Sequence, residues 1–149
     1  MIVYRITTRA YANDLSGTGA MIYGGRWNAK GVKMLYTSGS LSLATLETIA
    51  NLSAKRWDTG LFCVEIEIPH TLTIIEPSKL PDNWNVFPYT SKSVHLGSDF
   101  FDSNGFCLKV PSAIITSEYN YLINPLHEEL VKIRINDIRP LILDQRLIK

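Results

Sequence analysis

The sequence predicts an α+β domain built on mixed or antiparallel sheets with a few helices. Three observations predict it: several short runs with the two-residue period of strands, one long well-capped helical run, and little strand-helix-strand alternation. At 149 residues, with 46% hydrophobic and 19% charged residues, the chain has enough apolar material for one core and too little length for two, so a single domain over residues 1–149 is expected.

"MIVYRI" alternates Ile2, Tyr4 and Ile6 against Val3 and Arg5, the pattern of a half-buried strand. "TTRAYANDLSGTGAMIYGGRWN" follows with little periodicity. An irregular stretch of that length in a compact domain is functional or disordered, and its aromatic residues argue against disorder. "KMLYTS" is a strand candidate, and "GSLSLATLETIANLSAK" reads as a helix with serines placed to cap it. "LFCVEIEIP" and "TLTIIEP" read as strands, the first with Glu65 and Glu67 on a solvent face. "PSKLPDNWNVFP" reads as loop or helical turns, "SKSVHLGSDFFDS" as a short helix and "FCLKVPSAII" as a strand. The end, "LVKIRINDIRPLILDQRLIK", predicts a strand, a turn near Asp137 to Pro140, and a final strand or extended tail.

A formal charge of +1 with scattered Lys and Arg offers no basic stripe, which argues against direct nucleic-acid binding. No apolar run reaches the roughly 20 residues of a membrane span, and "MIVYRITTRAY" lacks the order of a signal peptide, so a cytoplasmic protein without a membrane partner is expected. Cys63 and Cys107 lie in strand-like apolar runs and are expected as reduced core thiols. Three histidines and two separated cysteines form no metal-ligand spacing, and "GTGAMIYGG" lacks both the Walker lysine and the dinucleotide-fold spacing.

One charge is not explained by patterning. Between Met34 and Ala54 only Glu47 is formally charged at neutral pH, and at about 100° per residue it shares an apolar stripe with Leu43, Leu46, Ala50 and Ala54. A buried carboxylate needs a cation or hydrogen-bond donors. Arg26, between "GG" and a tryptophan, is the most suggestive such cation, since the glycines let backbone approach and an indole holds a guanidinium. The same pattern also fits an exposed Glu47 on an over-apolar surface helix, or a structural ion pair.

The order "GGRWN", "LYTS", "SLSLATLE", and later "LKVPSAI", "NYLINP" and a histidine resembles the RES domain family, toxins of RES–Xre type II toxin–antitoxin modules. The resemblance runs from Tyr4 to the "NPLHEEL" region. It places the arginine, glutamate and serine that give the family its name on Arg26, Glu47 and Ser112, and the family's recurring tyrosine on Tyr36. It implies an ADP-ribosyltransferase-like fold and an enzyme that consumes NAD⁺ by breaking the nicotinamide–ribose bond, as an NAD⁺ glycohydrolase or phosphorylase. ADP-ribose transfer to a macromolecule and a non-catalytic interaction module are the alternatives. It also implies an Xre-like DNA-binding antitoxin as partner, in a homodimer or a toxin–antitoxin hetero-oligomer.

On that reading Glu47 stabilises an oxocarbenium-like ribose, as carboxylates do in glycoside hydrolysis. Arg26, assisted by Arg5, holds the pyrophosphate or serves the ribose side. Tyr36 offers a flat amphipathic surface to nicotinamide or ribose, and Ser112 contacts a ribose hydroxyl or the carboxamide. Asn124, before Pro125, is either a turn residue or a further ligand contact, and His127 is read the same way. The expected catalytic set is Arg26, Tyr36 and Glu47, the NAD⁺-binding set adds Arg5, Ser112 and Asn124, and no metal is expected.

Overall fold

A computed structural model describes residues 1–51 and 60–147. Among the described residues seven strands form one sheet: β1 (Ile2–Thr8), β2 (Leu35–Ser38), β3 (Leu61–Glu67), β4 (Ile74–Ile75), β5 (Cys107–Pro111), β6 (Tyr119–Ile123) and β7 (Arg134–Pro140), in the order β4-β5-β6-β2-β1-β3-β7. β4 and β5 are parallel and every other pair is antiparallel, so the sheet is mixed. The described helices are α1 (Thr18–Tyr23), α2 (Leu41–Asn51) and α3 (Ser91–Asp102), with short 3₁₀ turns between strands and at the C-terminal end.

The sheet is not continuous at its middle. β1 and β2 share only the pair Tyr4 and Ser38, while β1 pairs along its whole length with β3. In continued antiparallel register Ile6 would face Tyr36; instead the strands part, and residues of both line one wall of a cleft.

Both faces of the sheet are covered, which is why β5 reads as a nearly unbroken apolar run. Leu35, Cys107 and Ile123 join Val3, Val64, Ile66 and Phe106 in one core, whereas Leu108, Val110 and Leu122 pack with Trp27, Met34 and Phe101 on the opposite face. α3 belongs to the second layer, and its inward residues are small: Ser93, Gly97 and Ser98 beside Phe101. A Cβ on Gly97 would lie 2.0 Å from the Trp27 carbonyl oxygen, so the helix rests directly on the backbone after Arg26.

Ser40 caps α2 by accepting from the Leu43 amide at 3.1 Å, as its position predicted. Residues 52–55 of the expected helix, Leu52 and Ala54 included, lie outside the described residues. The buried stripe is rotated from the one expected: Leu43 and Ala44 are inside and Glu47 and Thr48 half-buried, while Leu46 and Ala50 are exposed.

Three expectations change. The supposed turn at Asp137 to Pro140 is strand: β7 runs through it against β3 with a bulge that leaves Asn136 unpaired between Ile135 and Asp137. Pro140 is tolerated because it ends an edge strand, where no amide is needed on the free side. The irregular segment after β1 contains α1, closed by Gly24 at φ 70° and ψ 177°, a backbone conformation that L side chains rarely adopt. "NYLI" forms β6, a strand that the apolar pattern did not reveal.

Candidate active site

The cleft beside the parted strands has a volume of about 600 Å³ and is lined by residues of β1, α1, β2, α2 and β6, and by Phe87 and Tyr89. Arg5, Arg26, Tyr36 and Glu47 all border it. The sequence thus brings four of its predicted residues to one cavity.

Arg26 sits at the tip of a tight turn closed by reciprocal hydrogen bonds between Gly25 and Asn28, 3.0 and 3.4 Å long. Two neighbours anchor the turn. Trp27 is 2% exposed and stacks on Trp84 with ring centres 6.0 Å apart. The Tyr36 hydroxyl donates to Asn28 Oδ1 at 2.8 Å and accepts from the Trp27 amide at 3.1 Å. Asn28, itself 1% exposed, spends Nδ2 on the carbonyls of Ala20, Ala29 and Val32. Gly25 is required here because a Cβ would meet the Tyr36 hydroxyl at 2.6 Å. The phenol is therefore committed to the protein, and burial raises its pKa well above the usual tyrosine value.

The Arg26 guanidinium donates through one nitrogen to the carbonyls of Trp84 and Val86, both at 2.7 Å, and lies 5.9 Å from the centre of the Tyr89 ring. Burial lowers its pKa, with the Glu47 charge pulling in the other direction. Arg5 donates to the carbonyls of Tyr11 and Asp14 at 3.1 and 2.7 Å, and burial lowers its pKa too, with Asp14 opposing.

Glu47 faces the cleft from the middle of α2. Its Oε1 accepts from Ser112 Oγ at 2.7 Å and from Asn120 Nδ2 at 2.6 Å. Among the described residues Oε2 has no protein hydrogen bond, and no ion pair joins Glu47 to Arg26. The direct partner expected from the sequence is replaced by two neutral donors, with Arg26 acting only through its field. Ser112 is fully buried behind the carboxylate, its oxygen also accepting from the amides of Ile114 and Ile115 at 3.0 and 3.2 Å.

The structure does not bring Asn124 to this cavity. Its Nδ2 donates to the Gly105 carbonyl at 3.0 Å and its Oδ1 accepts from the Leu126 amide at 3.0 Å, the bonding of a turn residue. His127 caps the next 3₁₀ turn through the Glu129 amide and lies edge-on to Phe106.

A family model described as RES domain matches residues 2–144. The chain belongs to the RES domain family. This RES domain is 38% identical over 154 residues to the Prs ADP-ribosylating toxin of Sphingobium sp. (strain YBL2), spanning 98% of the chain and 96% of that toxin. It is 37% identical over 152 residues to Toxin Res of Pseudomonas putida, spanning 99% of each. Its fold is similar to one in the crystal structure of the M. tuberculosis MbcT–MbcA toxin–antitoxin complex, with a TM-score of 0.78 at 17% identity over 94% of this chain and 83% of that one. The α+β architecture expected from the sequence, a mixed sheet with a few helices, is the one this RES domain has.

Several residues of the RES cleft escaped the sequence reading. Asn120 and Ser38 border the cleft beside Glu47, Asn28 holds the arginine turn, and Tyr89 faces Arg26. Asn120 left only a weak signal, a lone carboxamide between two tyrosines, because the strand that carries it was not legible. The others have no local signature: the Tyr36 hydroxyl that Asn28 receives and the Asn120 carboxamide that Ser38 meets come from 8 and 82 residues away. Among the described residues, no group of three His, Cys, Asp or Glu side chains is placed to hold a metal ion, and no helix is long and apolar enough to cross a membrane.

Proposed function

We propose that this chain is the toxin of a toxin–antitoxin pair and that it consumes NAD⁺ by cleaving the nicotinamide–ribose bond, with water or phosphate as acceptor. The observation that carries the reading is Glu47: a cleft-facing carboxylate whose two protein donors both fall on Oε1, leaving Oε2 for a ligand. The cleft volume falls within the range of about 300–1,000 Å³ typical of small-molecule sites. Its chemistry suits the substrate: two guanidiniums for a pyrophosphate, an aromatic wall for a ring, and a carboxylate for ribose hydroxyls.

The reaction asks for no strong base. The glycosidic C–N bond breaks with its electron pair going to the pyridinium nitrogen, so nicotinamide leaves neutral, and the acceptor oxygen bonds to the ribose carbon and gives up its proton to solvent water. The positive charge that grows on the ribose is met by Glu47. Arg26 and Arg5 fix the pyrophosphate, and Tyr36 contributes its ring and the placement of the Arg26 turn, its hydroxyl being already occupied. Ser112 acts from behind Glu47 as an orienting donor.

A second reading, transfer of ADP-ribose to a protein, is favoured by the name of the Sphingobium relative, the Prs ADP-ribosylating toxin, and uses the same bond cleavage. Supplying NAD⁺ labelled in its adenylate half separates the two: label stays in small molecules after hydrolysis or phosphorolysis and moves to a macromolecule after transfer. No nicotinamide release with water, phosphate or cell extract as acceptor would overturn both. As partner we propose an Xre-like DNA-binding antitoxin that covers this cleft in the cytoplasm, the toxin being a homodimer or part of a toxin–antitoxin hetero-oligomer. A neighbouring gene encoding a helix-turn-helix protein that suppresses toxicity is the expected finding.

A further inference from the structure

Asn120 is opposite Ser38 in the ladder between β2 and β6, and opposite Val110 in the ladder between β5 and β6. Its backbone is thereby fixed on both sides, next to the point where β1 and β2 part. The side chain makes two bonds in line: Ser38 Oγ donates to Oδ1 at 2.7 Å, and Nδ2 donates to Glu47 Oε1 at 2.6 Å. An ionised carboxylate only accepts, so the carboxamide must turn Nδ2 toward Glu47, and its oxygen is left for a hydroxyl that can donate. Donors arranged in one direction polarise each other, which strengthens the bond that ends on the charge.

Glu47 projects from mid-helix on a side chain with several rotatable bonds, and a single donor would leave its carboxylate free to swing. Ser112, just after β5, and Asn120, within β6, approach the same oxygen from different elements. Two donors from two directions fix the carboxylate plane and point the other oxygen into the cleft. We propose that Asn120, held by Ser38, is a positioning residue that sets the plane of Glu47 for reaction. This rests on the NAD⁺-cleavage reading.

The test compares wild type with Asn120→Asp, which keeps the shape but replaces the donor, and with Asn120→Ala and Ser38→Ala. Misplacing a catalytic group by about 1 Å costs on the order of 100-fold. The Asn120 variants are therefore expected to lose roughly 10- to 100-fold in kcat for nicotinamide release, with KM for NAD⁺ within about threefold, and Ser38→Ala to lose less. In a Glu47→Gln background Asn120→Ala is expected to cost little more, since both act through one group. The side-chain amide resonance of Asn120 gives a readout without turnover: a downfield proton in wild type that moves back in Glu47→Gln and shifts in Ser38→Ala. A lower Tm with unchanged kcat per folded molecule, or an Asn120 amide signal indifferent to both substitutions, would overturn the proposal. Absence of nicotinamide release from wild type while the amide signal responds as stated would instead sink the NAD⁺ reading and leave Asn120 an orienting residue for a different reaction.

Discussion

At the scale of single residues, the site is a set of polar groups whose partners were supplied by the fold. Glu47 was legible as an anomaly because a lone charge in an apolar helical run demands donors. Which donors was not legible: Ser112 and Asn120 lie 65 and 73 residues away, and Arg26, the cation that pattern singled out, spends its nitrogen on the carbonyls of Trp84 and Val86. Tyr36 shows the same division. Its presence at the site was expected, whereas the use of its hydroxyl to pin the Arg26 turn depends on contacts with Trp27 and Asn28. Tyr36→Phe leaves both groups short of a partner and is expected to lower unfolding stability by about 1–3 kcal/mol. With the turn loosened, KM for NAD⁺ should rise more than kcat falls. Steady-state kinetics beside urea titration would show this, and a loss confined to kcat would mean that the hydroxyl reaches the reacting atoms.

At the scale of elements, strands with clear alternation or strong apolar runs were readable, and β1, β2, β3 and β5 are where pattern put them. β6 was not readable because its five residues, "YNYLI", give two of their positions to half-buried tyrosines and one to Asn120, breaking both alternation and apolar continuity. β7 was misread because "NDIRP" carries turn chemistry that a full-length partner strand overrides, with a bulge absorbing Asn136. α3 reads as an ordinary short helix until its small inward face is seen against the Trp27 backbone. Gly97→Ala puts a methyl group into that carbonyl. We expect a loss of about 3 kcal/mol or more, since backbone cannot yield as a side chain does, or no soluble protein at all. Thermal unfolding measures it, and an unchanged Tm would show that α3 does not press on the arginine turn.

At the scale of the whole molecule, the parted strands let one mixed sheet carry both a closed core and an open cleft. Its pH response should come from buried neutral groups. Burial pushes the Cys107 thiol from an ordinary 9 up to about 12, and raises Cys63 and Tyr36 as well. The unfolded thiol loses its proton first, so the folded state binds more protons above pH 9. Stability is therefore full below that pH and falls as pH rises, by about 1.4 kcal/mol per unit for Cys107 alone. Urea unfolding should give a protein about 1.4 kcal/mol less stable at pH 10 than at pH 8 through this group, and Cys107→Val should remove that share. The family and the broad fold were legible in the ordered motifs of the chain, while the split in the sheet was not, because it reflects a pairing that stops after Tyr4 and Ser38. The most direct test of Glu47 as the group that stabilises the reacting ribose is Glu47→Gln. The amide keeps a carbonyl oxygen for Ser112 and Asn120 and replaces the charged, cleft-facing oxygen with a neutral NH₂, so the fold should persist while nicotinamide release falls by about 100-fold or more. Release at the wild-type rate from a folded Glu47→Gln protein would contradict it.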